Sequence, residues 1–324
     1  MAVDSPSQLR SAAQAAWDIL LAAASLTESL DRRGHVTGFG LRGPSGLQPV
    51  SADDPGAVLE WSPEAGWQSR LPSQDARSEL LNLYLPICSA TPTRPITVGH
   101  LGQSLDGFIA THSGDSQFVT GDDNIVHLHR MRALCDAVVV GAGTVAADDP
   151  QLTVRHVQGP NPLRVIFDPR RRLAPTFRVF TDQIGPTLYF CSRALVRAGE
   201  SHLGSAAIVG VDSTKPGGGV AEVLGRLHAR GCSRVFVEGG GVTVSAFLEA
   251  DLLDRLQIAI APVLIGDGRP AIRLAAHARL RDCRRPRYRV FRMGGDVMFD
   301  CELNAQPERE PGPVPADPVL KRII

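Results

Sequence analysis

From residue 96 to residue 262 the chain repeats one arrangement: a short apolar run, a stretch with helical spacing, then another apolar run. Strand candidates occupy 96–101, 137–141, 163–168, 187–191, 206–211, 234–238 and 255–262, with helical patterns at 122–134, 219–230 and 242–250. Strands that alternate with helices form a sheet covered on both faces, so the expected fold class is α/β, a mixed sheet flanked by helices. Two further runs, 287–293 and 297–303, flank Gly294-Gly295, a hairpin signal that adds an antiparallel pair at the sheet edge.

The segment before this unit reads differently. Residues 5–31 carry Leu9, Ala12, Ala16, Trp17, Leu20 and Ala24 near the 3.6 period, which predicts a helix that Gly34 stops. Residues 38–72 are rich in Gly, Pro, Ser and Trp, with one strand candidate at 57–61, and a helix is expected at 73–83. No cluster of titratable residues marks this stretch, so residues 1–94 are expected to be a small α+β appendage for packing or dimerisation. SATPTRP, at 89–95, reads as a linker to a second unit over 95–303, and the proline-rich tail from 304 is expected to be disordered.

Charge excludes several classes of partner. The 34 basic and 34 acidic residues cancel, so no overall field favours nucleic acid or an anionic membrane, and any anion site must be local. The apolar run at 19–24 is far short of the roughly 20 residues that span a bilayer, no basic leader precedes it, and a cytoplasmic location is expected. Six cysteines without a C-x-x-C pair or a histidine at ligand spacing argue against structural zinc and a disulfide framework, and no metal is expected. Lys215 and Lys321 are the only lysines and lie in no motif, which disfavours Schiff-base chemistry.

Two glycine-containing segments carry the chemistry. VFVEGGG runs straight into the helical pattern VTVSAFLEA, so Gly239, Gly240 and Gly241 permit close approach of a diphosphate to the helix start at Val242 and Thr243. The same glycines also suit a plain tight turn. Glu238 ends that strand, where open α/β sheets bind ligands, although a carboxylate there also complements a helix N-terminus. Gly141-Ala142-Gly143-Thr144 reads as a second turn and leads to Asp148-Asp149-Pro150, either an acid pair or, for Asp149, ordinary turn chemistry. Arg132 and Arg155 could clamp a phosphate bidentately, which makes a small phosphorylated molecule the first ligand to expect. Arg170 to Arg172 and Ser192-Arg193 follow strand ends and suit either a 2′-phosphate or a solvated charge run.

The segments QSLDG (103–107), GDSQFVTG (114–121), MRA (131–133), GTV (143–145), ADDPQLTVR (147–155), PLRV (162–165) and VEGG (237–240), in this order, resemble the reductase domain of bacterial riboflavin biosynthesis proteins. The resemblance covers about residues 95–303 and implies a dihydrofolate-reductase-like fold, a homodimer, NADPH as cofactor, and reduction of a ribosylaminopyrimidine 5′-phosphate by hydride transfer to ribose C1′. By the same resemblance, Ser116, Arg132, Leu152, Arg155 and Glu238 would hold the substrate, while Gly102, Phe118, Thr144, Asp148, Pro169, Gly240, Gly241, Val242 and Thr243 would meet the cofactor. Water, Asp148 and Glu238 stay open as proton donors.

Three departures qualify the resemblance. His100 stands where the family usually has lysine, a weaker and pH-dependent cation at a position counted with Asp148 and Glu238 among the catalytic candidates. Phe118 replaces a usual tryptophan and Phe108 a usual basic residue. The upstream deaminase of bifunctional relatives needs H-x-E and P-C-x-x-C, and neither occurs in residues 1–95, so deaminase activity is not expected. A reductase acting on a related pyrimidine or pteridine, or a non-catalytic nucleotide-binding protein, are the competing readings.

Overall fold

The computed structural model describes residues 6–43, 46–117, 119–212 and 217–304. Two compact units divide the chain, one comprising Met1–Pro95 with Gly231–Arg234, the other Ile96–Arg230 with Val235–Ile324. The tail beyond Asn304, for which disorder was expected, lies outside the described residues, as does Phe118.

In the first unit, helix α1 (Pro6–Arg33) ends where the Gly34 amide, at φ +67°, donates to Leu30 O at 3.1 Å, a left-handed stop that glycine adopts without strain. Strands β1 (Thr37–Arg42), β2 (Gly46–Val50), β3 (Leu59–Ser62) and β4 (Gly66–Ser69) form an antiparallel sheet in the order β2-β1-β3-β4. Only the third was foreshadowed, by the candidate at 57–61, because the glycines and prolines of this stretch hide the alternation. Helix α2 (Ser78–Cys88) starts later than the expected 73–83, since Asp75 turns the chain by accepting from the Arg77 amide and guanidinium. Trp17, Phe39, Trp61, Trp67 and Tyr84 fill the core, and the Trp67 indole donates to Thr27 Oγ1 at 2.8 Å. The stretch at 89–95 is no open linker: Thr91 and Arg94 exchange backbone hydrogen bonds and Thr91 is buried.

The second unit contains β5 (Ile96–Ser104), β6 (Phe108–Thr111), α3 (Asp122–Leu134), β7 (Ala137–Gly141), α4 (Ala142–Asp148), β8 (Leu163–Phe167), α5 (Arg178–Thr181) and β9 (Thr187–Ser192). It continues with β10 (His202–Leu203), β11 (Ala206–Val211), α6 (Gly218–His228), β12 (Arg234–Glu238), α7 (Gly241–Glu249), β13 (Arg255–Ala261), β14 (Gly268–Pro270), β15 (Arg287–Met293) and β16 (Asp296–Glu302). Ten of these strands make one sheet, ordered β10-β11-β9-β8-β7-β12-β5-β13-β16-β15. The pairs β11/β9, β9/β8, β8/β7, β7/β12 and β5/β13 are parallel, and the hairpin β15/β16 closes one edge antiparallel, as the Gly294-Gly295 signal requires. Central strands are apolar on both faces: Val138 to Val140 and Val235 to Val237 are fully buried, the pattern of a sheet sandwiched by helices. One expectation fails here. The segment after Gly141 is not a turn but helix α4, anchored by the fully buried Val145 despite the helix-weakening Gly143.

Candidate active site

Strands β5, β7 and β12 are neighbours or near neighbours in the sheet, and β7 and β12 each pass at their carboxyl ends into a helix, so α4 and α7 begin side by side. A cavity of about 720 Å³ opens at that place, the location where open α/β sheets receive ligands. Its walls include His100, Gly102, Ser116, Thr144, Asp148 and Glu238, together with Pro169 and the Gly239–Thr243 turn.

The two glycine junctions serve the cavity by different means. Gly239 (φ +63°) and Gly240 (φ +75°) adopt backbone conformations that side-chain-bearing residues avoid, and a Cβ on Gly241 would lie 2.1 Å from Ala271 O. Gly141 is extended, yet a Cβ there would lie 2.1 Å from Thr243 Oγ1, so the end of β7 needs glycine for space rather than for conformation. Both junctions bring a helix N-terminus against the cavity, and α7, nine residues long, directs the positive end of its dipole there.

Charge is arranged less simply than the sequence suggested. The Arg132 guanidinium, at the end of α3, is buried and spans both oxygens of Glu238, with Nε to Oε2 at 2.7 Å, while its Nη1 donates to Thr153 O at 3.1 Å. One edge of it is therefore committed to orienting the carboxylate of Glu238, which reaches the cavity while Arg132 itself does not. Arg155 is exposed and outside the cavity wall, its Nη1 bonded to Thr153 Oγ1 at 2.6 Å, beside the positive charges of Arg132 and Arg178. The predicted two-arginine clamp thus resolves into one committed and one available cation. Leu152 is fully buried at φ +57°, which leaves only its backbone for any ligand contact.

Asp148 and Asp149 separate as well. Asp149 ends α4 in the left-handed region and holds the Arg178 amide at 2.7 Å, a structural cap and not half of an acid pair. Asp148 faces the cavity, with Ser116 Oγ donating to it at 3.5 Å, and its carboxyl is pushed above the usual range by desolvation, Glu238 adding to the effect while Ser116 and Arg269 oppose it. A carboxyl so placed holds its proton more readily than a solvated one.

His100 is not the pH-dependent cation that its position suggested. It is 2% exposed in the middle of β5, and burial pushes its imidazole far below the ordinary range, His127 adding to the shift. Neither ring nitrogen makes a well-formed hydrogen bond among the described residues, the Asn124 side chain being close enough to favour the charged ring only weakly, and Oδ1 of the buried Asn124 is likewise unmatched while its amide donates to Thr120 Oγ1. Behind His100, His127 Nε2 meets Gln257 Oε1 at 2.9 Å, and Gln257 Nε2 donates to Asp300, which is itself gripped by Arg255 and Arg289. Because the Gln257 amide nitrogen already donates, its oxygen must accept, so the proton of neutral His127 is assigned to Nε2.

Of the residues named from sequence, His100, Gly102, Ser116, Thr144, Asp148, Pro169, Glu238, Gly240, Gly241, Val242 and Thr243 line one cavity. Arg132, Leu152 and Arg155 do not reach its wall. Sequence reasoning missed Asn124, Arg269 and Arg273, which come from α3, β14 and the loop after β14 and carry no local motif, whereas Arg170 and Arg172 line the cavity as one of two open readings allowed. Among the described residues no group of three His, Cys, Asp or Glu is placed to hold a metal ion.

Residues 96–285 match the family described as RibD C-terminal domain. The chain is 37% identical over 181 residues to the 2,5-diamino-6-ribosylamino-4(3H)-pyrimidinone 5′-phosphate reductase of Methanothermobacter thermautotrophicus, covering 55% of this chain and 82% of that protein. It is 30% identical over 179 residues to the riboflavin biosynthesis protein RibD of Aquifex aeolicus, covering 55% of this chain but 49% of the relative, about half its length. A solved Thermotoga maritima structure, a diaminohydroxyphosphoribosylaminopyrimidine deaminase/5-amino-6-(5-phosphoribosylamino)uracil reductase, superposes with a TM-score of 0.55 at 27% identity, covering 71% of this chain and 62% of that one.

Proposed function

The chain belongs to the RibD C-terminal domain family, and from that membership we propose that it reduces a ribosylaminopyrimidine 5′-phosphate to the ribitylamino product with NADPH. The observation that carries this reading is the single cavity in which a glycine-built helix N-terminus and a set of arginines face an acid, Asp148, with a raised affinity for its proton. The cavity suits a dinucleotide. Gly239 and Gly240 form a cradle that side chains would fill, and Arg170, Arg172 and Arg273 supply positive charge along the wall.

A bound nicotinamide would supply the hydride, delivered to ribose C1′ in its ring-opened form. The chain's own residues do the rest. Thr144, Pro169 and the Gly240–Thr243 turn hold the cofactor, while Ser116 and Asp148 stand on the substrate side with Glu238 kept rigid by Arg132. With both oxygens of Glu238 engaged by Arg132, Asp148 is the acid in the cavity left to hand a proton to the reacting nitrogen. Arg155, exposed and not bound to a carboxylate among the described residues, receives the substrate phosphate. The test is NADPH absorbance followed with purified ribosylaminopyrimidine phosphate in its aminated and deaminated forms: turnover with one of them supports the reading, and turnover with neither overturns it.

A second reading, a reductase of a related pyrimidine or pteridine, is favoured by one observation. The wall at His100 and Asn124 is uncharged where a lysine would place a cation, so the heterocycle meets neutral hydrogen-bonding groups. Turnover with a pteridine and none with the pyrimidine phosphates would select it. We place the protein in the cytoplasm as a homodimer; the cysteines are free, most of them buried, and no helix among the described residues is long and apolar enough to cross a membrane.

A further inference from the structure

Immediately after β8 the chain makes a tight loop over residues 168–173, held in shape by three features. First, its anchor is a fully buried carboxylate: Asp168 Oδ2 accepts the amides of Arg172 (2.5 Å) and Leu173 (2.9 Å) and the hydroxyl of Tyr189 (2.8 Å). Second, the backbone of Asp168 is pinned on both sides, its amide to Phe190 O at 2.8 Å and its carbonyl to the Arg171 amide at 2.9 Å. Third, Arg171 sits at φ +50° and turns its guanidinium away, onto Glu200 and Leu195 O, whereas Arg170 and Arg172 on either side of it line the cavity.

A non-glycine residue in the left-handed region is strained, and such strain persists only where surrounding bonds over-determine it. Here those bonds are the Asp168 carboxylate and the Arg171 pairings. Their joint effect is to split three consecutive arginines into one structural cation and two presented to a ligand. Arg172 Nε lies 3.9 Å from Asp168 Oδ1, beyond hydrogen-bond reach, with its side chain 63% exposed, so it is steered but not consumed by the anchor. The Tyr189 hydroxyl is held above its ordinary range by burial and by Asp168, so it remains a donor to the carboxylate.

We propose that Asp168, braced by Tyr189, is a positioning residue that sets cofactor preference: it holds the loop so that Arg170 and Arg172 are preformed to receive the 2′-phosphate that distinguishes NADPH from NADH. The inference rests on the NADPH reading above. Pre-ordering the loop removes most of the backbone entropy that two mobile arginines would otherwise lose on binding, and the gain falls on the phosphorylated dinucleotide alone.

Calorimetric titration of the full chain with adenosine 2′,5′-bisphosphate and, separately, with 5′-AMP reads that phosphate without any turnover. The wild type should bind the bisphosphate at least about tenfold more tightly, the gain of a charge-assisted contact. Asp168→Ala should abolish most of that preference while leaving 5′-AMP binding unchanged, Asp168→Asn should retain part of it because the amide oxygen still accepts from the loop, and Tyr189→Phe should lose it several-fold. A folded Asp168→Ala that keeps the full preference, or that weakens both probes equally, overturns the proposal. Should Asp168→Ala fail to fold, Tyr189→Phe decides, and an undiminished preference there is equally fatal. A wild type without preference would instead remove the NADPH reading on which the proposal stands.

Discussion

Glu238 and His100 sit on adjacent strands, β12 and β5, joined where the Gly239 amide donates to His100 O, and both line the same cavity nearly out of reach of solvent. Their fates differ. Glu238 is paired, because the fold delivers a bidentate guanidinium to it, whereas burial first and His127 second push the His100 imidazole far below its ordinary range, and the Asn124 side chain offsets only part of that. A buried polar group completed by the protein is scaffold first. One left incomplete inside a cavity is free to pair with a ligand, since leaving it unpaired is what costs free energy.

The contrast is broken most severely at the charged end. Arg132→Met should strand the Glu238 carboxylate and lower stability by about 3–5 kcal/mol in urea unfolding, while the double change with Glu238→Leu should recover much of that loss yet stay inactive. At the neutral end, His127 is pushed to about 4 by burial, so the unfolded chain binds a proton that the folded chain refuses. Its contribution to stability is therefore complete above about pH 6.5 and is lost as pH falls from there through about 4, close to 3 kcal/mol in all. Melting temperature measured from pH 7.5 to pH 4 should show that acid limb, and His127→Gln should make it shallower, while His100 and His129, whose imidazoles burial also depresses, keep the rest of it.

Two smaller changes sharpen the comparison. Arg155→Ala removes an exposed cation, so the melting temperature should hold while kcat/KM for the phosphorylated substrate falls by the equivalent of about 1.5–3 kcal/mol. His100→Leu removes two buried nitrogens that make no well-formed hydrogen bond, and stability should change by less than about 0.5 kcal/mol or rise, even as KM for the heterocycle increases. A steep fall in stability there would show that His100 is scaffold after all.

Much of this is legible in the sequence. Apolar runs located the parallel strands to within a residue, since central strands are apolar on both faces, except that β5 continues three residues beyond its expected end; the Glu238-Gly239-Gly240-Gly241 turn announced its cavity through glycines that left-handed backbone or close packing requires. Local signals failed where structure depends on distance along the chain. The partner of Glu238 lies 106 positions away, so nothing near Arg132 revealed that its guanidinium was already committed. The depressed basicity of His100 likewise comes from its burial in β5 and, after that, from His127, and the first unit's strands were hidden by glycines and prolines until the sheet pairs them.

The most direct test of the central claim, that one cavity joins a reduced nicotinamide to a ribosylaminopyrimidine phosphate, is to run the reaction with NADPH carrying deuterium at both C4 positions. The ribitylamino product should contain a single deuterium at C1′ by mass spectrometry and NMR. Product free of label, or no product from either the aminated or the deaminated substrate, would contradict the account.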